Sequence, residues 1–161
     1  MSKENIALIV GATGLSGSYT AQQLKAEGWT VVTLSRSAAD LPWSDRHIAA
    51  DLEDAVATCD ALKAAADITH VFFCTWSRQK NEEDNVRVNA QMIRNLFDGL
   101  AVAPIKHAAL VTGLKHYLGS FDDYAHVKPY TPFLESSPRL PGLNFYQVIH
   151  HVTVSLTHLK T

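Results

Sequence analysis

Cysteine is scarce in this chain. Cys59 and Cys74 are the only two, and they form no C-x-x-C pair. That excludes a disulfide framework, and both residues read as buried or half-buried free thiols of a reducing, cytoplasmic protein. Long apolar runs are also missing: none approaches the roughly 20 residues that span a bilayer. Met1 to Asn5 lead directly into a first apolar stretch, which leaves no room for a signal peptide. There is no run of Lys and Arg, and the net charge is −2, so neither nucleic acid nor an anionic membrane is an expected partner. No H-E-x-x-H occurs, and the adjacent His150-His151 would not share a helix face, so no metal site is expected.

What is present is an ordinary globular composition, 47% hydrophobic and 19% charged over 161 residues. A chain of this size forms one domain and hides roughly 70% of its unfolded surface. No internal repeat, low-complexity segment or linker divides it.

The most informative stretch is Ile6-Ala7-Leu8-Ile9-Val10-Gly11-Ala12-Thr13-Gly14-Leu15-Ser16-Gly17. An unbroken apolar run before a glycine turn reads as a parallel strand buried on both faces. A helix follows over about 15–27, with Leu15, Tyr19 and Leu24 expected on its inner side and Gly28 after its end. Glycines let backbone N–H groups approach a pyrophosphate, and the helix N-terminus turns its partial positive charge toward it. Strand, glycine turn and helix in this order form a dinucleotide-binding fingerprint. Gly11, Thr13, Gly14, Leu15, Ser16 and Gly17 are therefore candidate cofactor contacts. The G-x-x-G-x-x-G spacing resembles the extended and atypical short-chain dehydrogenase/reductases.

Strands and helices then alternate, which predicts an α/β fold: a Rossmann-like, doubly wound parallel sheet in three α/β/α layers. Strands are expected near 29–34, 47–50, 69–74 and 107–112. A helix over 53–66 offers Val56, Leu62 and Ala65 as buried positions. Asp84 or Asn85 caps a long helix to about Leu100, with Val88, Met92, Ile93, Leu96 and Phe97 facing the core. Residues 113–141 form a long, proline- and aromatic-bearing loop of the kind that carries function. Residues 144–151 read as a helix, and 152–161 fit a helix or a strand.

The cofactor is read from the end of the second strand. An NAD site places Asp or Glu there to grip the ribose 2′-hydroxyl. Residues 31–37 hold no acid and end in Ser35-Arg36-Ser37. A guanidinium flanked by hydroxyls suits a 2′-phosphate, so NADP(H) is the expected cofactor, with Asp40 as a displaced acid in the NAD alternative. Asp51, with Leu52, is placed to approach the adenine or to cap the next helix. Thr75 belongs to the polar stretch after the fourth strand, and Trp76 either walls the cofactor pocket or covers a sheet edge.

Several longer motifs resemble those of the progesterone 5β-reductase/iridoid synthase-like enzymes, a group of atypical short-chain dehydrogenase/reductases. They are the glycine turn, Ser35-Arg36-Ser37, Asp51-Leu52, Thr69 to Ser77, and the helix with Asn89, Met92, Asn95 and Leu96. The most specific are Thr112-Gly113-Leu114-Lys115-His116-Tyr117-Leu118-Gly119-Ser120-Phe121 and Pro138-Arg139-Leu140-Pro141-Gly142-Leu143-Asn144-Phe145-Tyr146. The resemblance implies Lys115 as catalytic lysine and cofactor contact, and Tyr146 as catalytic tyrosine. The pair then comes from separate elements and not from the superfamily's local Tyr-x-x-x-Lys. The implied reaction is NADPH-dependent 1,4-reduction of an enone or related small carbonyl compound.

The pattern departs at Gln147, where the family has a second Tyr, and at His150-His151, where it has acids. Members run about twice this length, and the remainder completes the sheet and most of the substrate pocket. The chain therefore reads as a truncated or frame-shifted member, with its C-terminal part of the fold missing and residues 152–161 a divergent tail. Its last strand would expose an edge, a route to a homodimer. Two alternatives stand beside the reductase: a non-catalytic NADP-binding or redox-sensing protein, and an NAD-dependent epimerase/dehydratase-like protein.

Overall fold

The computed structural model describes residues 5–37, 39–119, 126, 130–138, 140–144 and 146. The strands are β1 (Ile6–Val10), β2 (Thr30–Ser35), β3 (Arg46–Ala49), β4 (His70–Phe73) and β5 (His107–Leu110). The helices are α1 (Leu15–Ala26), α2 (Ala55–Leu62, extended by a 3-10 turn over Lys63–Ala65), α3 (Glu82–Gly99) and α4 (Lys115–Leu118). The expected helix over 144–151 and the tail over 152–161 lie outside the described residues, apart from Asn144 and Tyr146.

All strand pairs are parallel, in the order β3-β2-β1-β4-β5. β1 is central, and its run is apolar throughout because both of its faces are covered. Leu8 and Val10 face a core shared with Leu62 of α2 and with Ile93, Leu96 and Leu100 at α3. Ala7 and Ile9 face a smaller core closed by Ala21 and Leu24 of α1. The three-layer, doubly wound arrangement is the one the alternating pattern predicts.

Several local expectations need correction. α1 buries Gly17, Ala21 and Leu24, whereas Leu15 and Tyr19 are exposed by 78% and 66%. Residue 15 lies about 200° around the helix from residue 17, so both cannot face the sheet. Small residues occupy the inner face because the helix start is pressed against the glycine turn. Val56 is also exposed, although Leu62 and Ala65 are buried as expected. α2 is capped by Asp54, whose carboxylate accepts from the amides of Val56 and Ala57, both at 3.0 Å, and not by Asp51. α3 begins earlier than expected, because Asn81 accepts from the Asp84 amide at 2.8 Å. Asp84 thus sits in the first turn with Glu82 and Glu83, where negative charge meets the positive end of the helix.

The loop after β5 is not structureless. It contains α4, which begins two residues after Gly113. Cys59 is exposed, against expectation, and Cys74 is half-buried. Burial pushes the Cys74 thiol up from its usual range, partly offset by a hydrogen bond with Thr20. Among the described residues no helix is long and apolar enough to cross a membrane.

Candidate active site

The site lies at the carboxyl ends of the strands. β1 runs into Gly11, whose φ of +85° is open to glycine and strained for other residues. A Cβ there would stand 2.7 Å from Thr75 Cβ and 3.0 Å from the Cys74 carbonyl oxygen, so β1 and β4 close together at this point. Gly14 is the N-cap of α1 and has no side chain to cap it. A Cβ on Gly17 would meet the Gly11 carbonyl oxygen at 2.3 Å. That contact seats the first turn of α1 on the end of β1. The first turn carries no acid, so its unpaired amides face no competing carboxylate.

Beside this turn is a crevice of about 360 Å³. Of the expected cofactor contacts, Gly11, Thr13, Ser35, Arg36, Asp51, Leu52, Thr75 and Trp76 line it. Gly14, Leu15, Ser16, Gly17, Ser37 and Lys115 do not: the glycines shape the turn, and Leu15 is turned to solvent. Trp76 therefore belongs to the wall of the crevice. Asp40 is exposed and lies outside the lining, so the acids that line the crevice with Arg36 are Asp51 and Glu53. Glycines that a Cβ would obstruct, an acid-free helix start and an arginine in the lining together fit a dinucleotide.

Sequence reasoning gave no role to Glu53, Ser77 or Arg78, which also line the crevice. Ser77 donates its hydroxyl to Glu53 at 2.8 Å. The polar stretch after β4 is strapped down by α3. Asn89 accepts from the Ser77 amide and donates to the Ser77 carbonyl, both at 2.8 Å. Asn85 accepts from the Gln79 amide at 2.7 Å, and Asn95 donates to the Leu52 carbonyl at 2.7 Å. The legible signal is three asparagines on the otherwise apolar inner side of α3; buried amides need such partners.

Past β5 the chain places the two candidate catalytic residues. Lys115 is 4% exposed, and its ammonium donates to the Glu82 carboxylate in the first turn of α3. Tyr146 packs at the margin of the larger core. A Cβ on Gly113 would lie 3.3 Å from its hydroxyl oxygen. Asn144, 3% exposed, joins the two segments: it donates to the Lys115 carbonyl at 2.8 Å and accepts from the Tyr146 amide at 3.1 Å. Glu82, Gly119, Leu140, Pro141, Leu143 and Asn144 border a further cavity of about 230 Å³. His150-His151 lie outside the described residues, and among the described ones no three metal-ligating side chains cluster. One Tyr-x-x-x-Lys spacing, Tyr124 to Lys128, does occur in the sequence. It too lies outside the described residues.

The profile of the NAD dependent epimerase/dehydratase family matches residues 7–157. The chain belongs to this family. Within it, the chain is similar to an (S)-8-oxocitronellyl enol synthase of Nepeta racemosa, 34% identical over 89% of this chain and 39% of that protein. It is likewise similar to the 3-oxo-Delta(4,5)-steroid 5-beta-reductase of Arabidopsis thaliana, 36% identical over 90% of this chain and 40% of that protein. The resemblance drawn from the motifs is thereby upheld. The chain spans about two fifths of the length of these curated relatives. Among solved structures, a short-chain dehydrogenase/reductase superfamily protein from Agrobacterium tumefaciens with bound NAD superimposes with a TM-score of 0.68 at 18% identity, covering 96% of this chain and 44% of that one. The UDP-N-acetylglucosamine 4-epimerase of Bacillus cereus gives 0.62 at 20% identity, over 98% and 47%. These likenesses establish the Rossmann-like family fold.

Proposed function

We propose that this chain is the cofactor-binding and catalytic part of an NADPH-dependent reductase whose substrate is an enone or a related small carbonyl compound. The observation that carries the reading is the buried Asn144 bridge, which joins the Lys115 and Tyr146 segments beside Gly113. The names of the relatives, an enol synthase and a steroid 5-beta-reductase, support the same chemistry.

The turn at 11–17 would hold the pyrophosphate through backbone amides, with Arg36 between Ser35 and Ser37 taking the 2′-phosphate. Asp51 and Leu52 would border the adenine, and Thr75 and Trp76 the middle of the cofactor. When bound, NADPH supplies the hydride that reaches the β-carbon of the enone. Tyr146 would donate a hydrogen bond from its phenol to the substrate oxygen as negative charge gathers there. Lys115 would strengthen the phenol as a donor through its positive charge and hold the nicotinamide ribose. The two free thiols and the absence of a membrane-spanning helix among the described residues suit a cytoplasmic protein. β5, at a sheet edge among the described strands, is the surface through which two copies would pair.

The test is consumption of NADPH with a panel of cyclic enones. Turnover that falls at least about 100-fold in Tyr146→Phe, with NADPH still bound, is the expected result. NADPH that binds and is oxidised by none of the panel overturns the reading. It would favour instead a binding protein without turnover, a reading supported by the commitment of the Lys115 ammonium to Glu82. An epimerase-like mechanism would draw on Tyr124 and Lys128, and Tyr124→Phe would then abolish activity while Tyr146→Phe spared it.

A further inference from the structure

His47 of β3 does not line the crevice, yet two of its contacts converge on the rim that carries Arg36. It stands opposite Thr33 in the ladder. Its Nδ1 is 2.8 Å from Thr33 Oγ1, and its Nε2 is 3.2 Å from Ser35 Oγ and 3.1 Å from the Ser37 carbonyl oxygen. Ser35 in turn donates its hydroxyl to the same Ser37 carbonyl at 2.8 Å. A carbonyl oxygen only accepts, so Nε2 must carry a proton toward Ser37. The far side is anchored as well. Thr33 is fully buried, and its hydroxyl lies 2.8 Å from Ser44 Oγ, which donates to the Arg46 carbonyl at 2.9 Å.

The imidazole therefore ties the end of β2 and the turn after it to the interior of the sheet. Arg36 itself is exposed and has a flexible side chain. Its usefulness toward an anion depends on how firmly the backbone at 35–37 is held before the ligand arrives, since ordering it afterwards costs affinity. We infer that His47 is a positioning residue that fixes the Ser35-Arg36-Ser37 turn and thereby sets the preference for a 2′-phosphorylated dinucleotide over its unphosphorylated form. The inference builds on the NADPH reading of the crevice.

The test measures dissociation constants for NADPH and NADH with the whole chain. His47→Leu is expected to weaken NADPH about tenfold, as for loss of one or two hydrogen bonds, and NADH less than about twofold. His47→Gln restores a donor at the Nε2 position and should bring NADPH back to within about threefold of the parent. Thr33→Val removes the ring's inner anchor without touching the crevice, and should show the same selective loss where His47→Leu does not fold. In an Arg36→Ala background, His47→Leu should add little, because the two act through one contact. Equal losses for both cofactors, or no loss for NADPH, would overturn the inference while a selective Arg36→Ala effect left the 2′-phosphate reading standing. An Arg36→Ala variant that weakens both cofactors equally would remove that reading and the role of His47 together.

Discussion

The side-chain nitrogen of Asn144 donates to the carbonyl oxygen of Lys115 at 2.8 Å, in a site where Asn144 is 3% exposed. Its oxygen takes the Tyr146 amide at 3.1 Å, so one carboxamide sets the distance between the segments that carry a candidate ammonium and a candidate phenol. Asn144→Ala removes both bonds of the bridge, leaving the Lys115 carbonyl with the Gly119 amide at 3.1 Å, and should cost about 0.5–1.5 kcal/mol per lost bond. Enone turnover should drop more than tenfold while NADPH affinity holds. Titration calorimetry and steady-state rates check the split, and equal loss in both would place Asn144 in the general fold only.

A second expectation concerns the Lys115–Glu82 pair, whose side chains are 3% and 14% exposed. Breaking a buried pair from one side strands a charge and costs about 3–5 kcal/mol. Glu82→Gln alone should therefore destabilise more, in urea unfolding, than Glu82→Gln combined with Lys115→Met. A double variant as unstable as the single one would show that the ion pair is not the source of the loss.

Two glycines separate shape from strain. A Cβ on Gly17 would collide with the Gly11 carbonyl oxygen at 2.3 Å, so Gly17→Ala must displace the turn. It should cost about 1–3 kcal/mol and abolish NADPH binding. Gly28 has φ +83° with open space around it, so Gly28→Ala should cost about 1–2 kcal/mol and leave NADPH affinity intact. Thermal melts with and without NADPH distinguish them.

The pH dependence of stability has a located contributor. Burial, then Lys106 and His107, hold the His70 imidazole below its ordinary 6.5. Below pH 6.5 the unfolded chain takes up a proton there that the folded chain resists, so stability falls with pH until the folded group also titrates. Above pH 6.5 both forms are neutral and the effect vanishes. Replacing His70 by Gln should flatten the stability curve between about pH 5 and 7. An unchanged slope would assign that dependence to other groups.

Much of this was legible in the residues. The apolar run of β1, the glycine turn and the alternating elements gave the parallel sheet, because burial on both faces leaves a simple pattern. Ser35-Arg36-Ser37 was readable as the carboxyl end of the second strand, and Ser35 and Arg36 do line the crevice. What was not legible depended on exact phase or distant partners. Leu15 and Tyr19 look apolar, but Gly17 sets the inner face of α1 by its closeness to Gly11. Glu82 reads as one acid among three at a helix start, and only folding brings it to Lys115. Asn144 stood inside a quoted motif, yet a bridging amide leaves no periodic trace.

The glycine turn is closed by Gly11, Gly17 and Thr75, all from the first half of the chain. Nothing in that clasp touches Asn144. A lineage could thus alter the 113–146 stretch and inherit the glycine turn unchanged, whereas a change in the turn itself would have to pass through a damaged sheet.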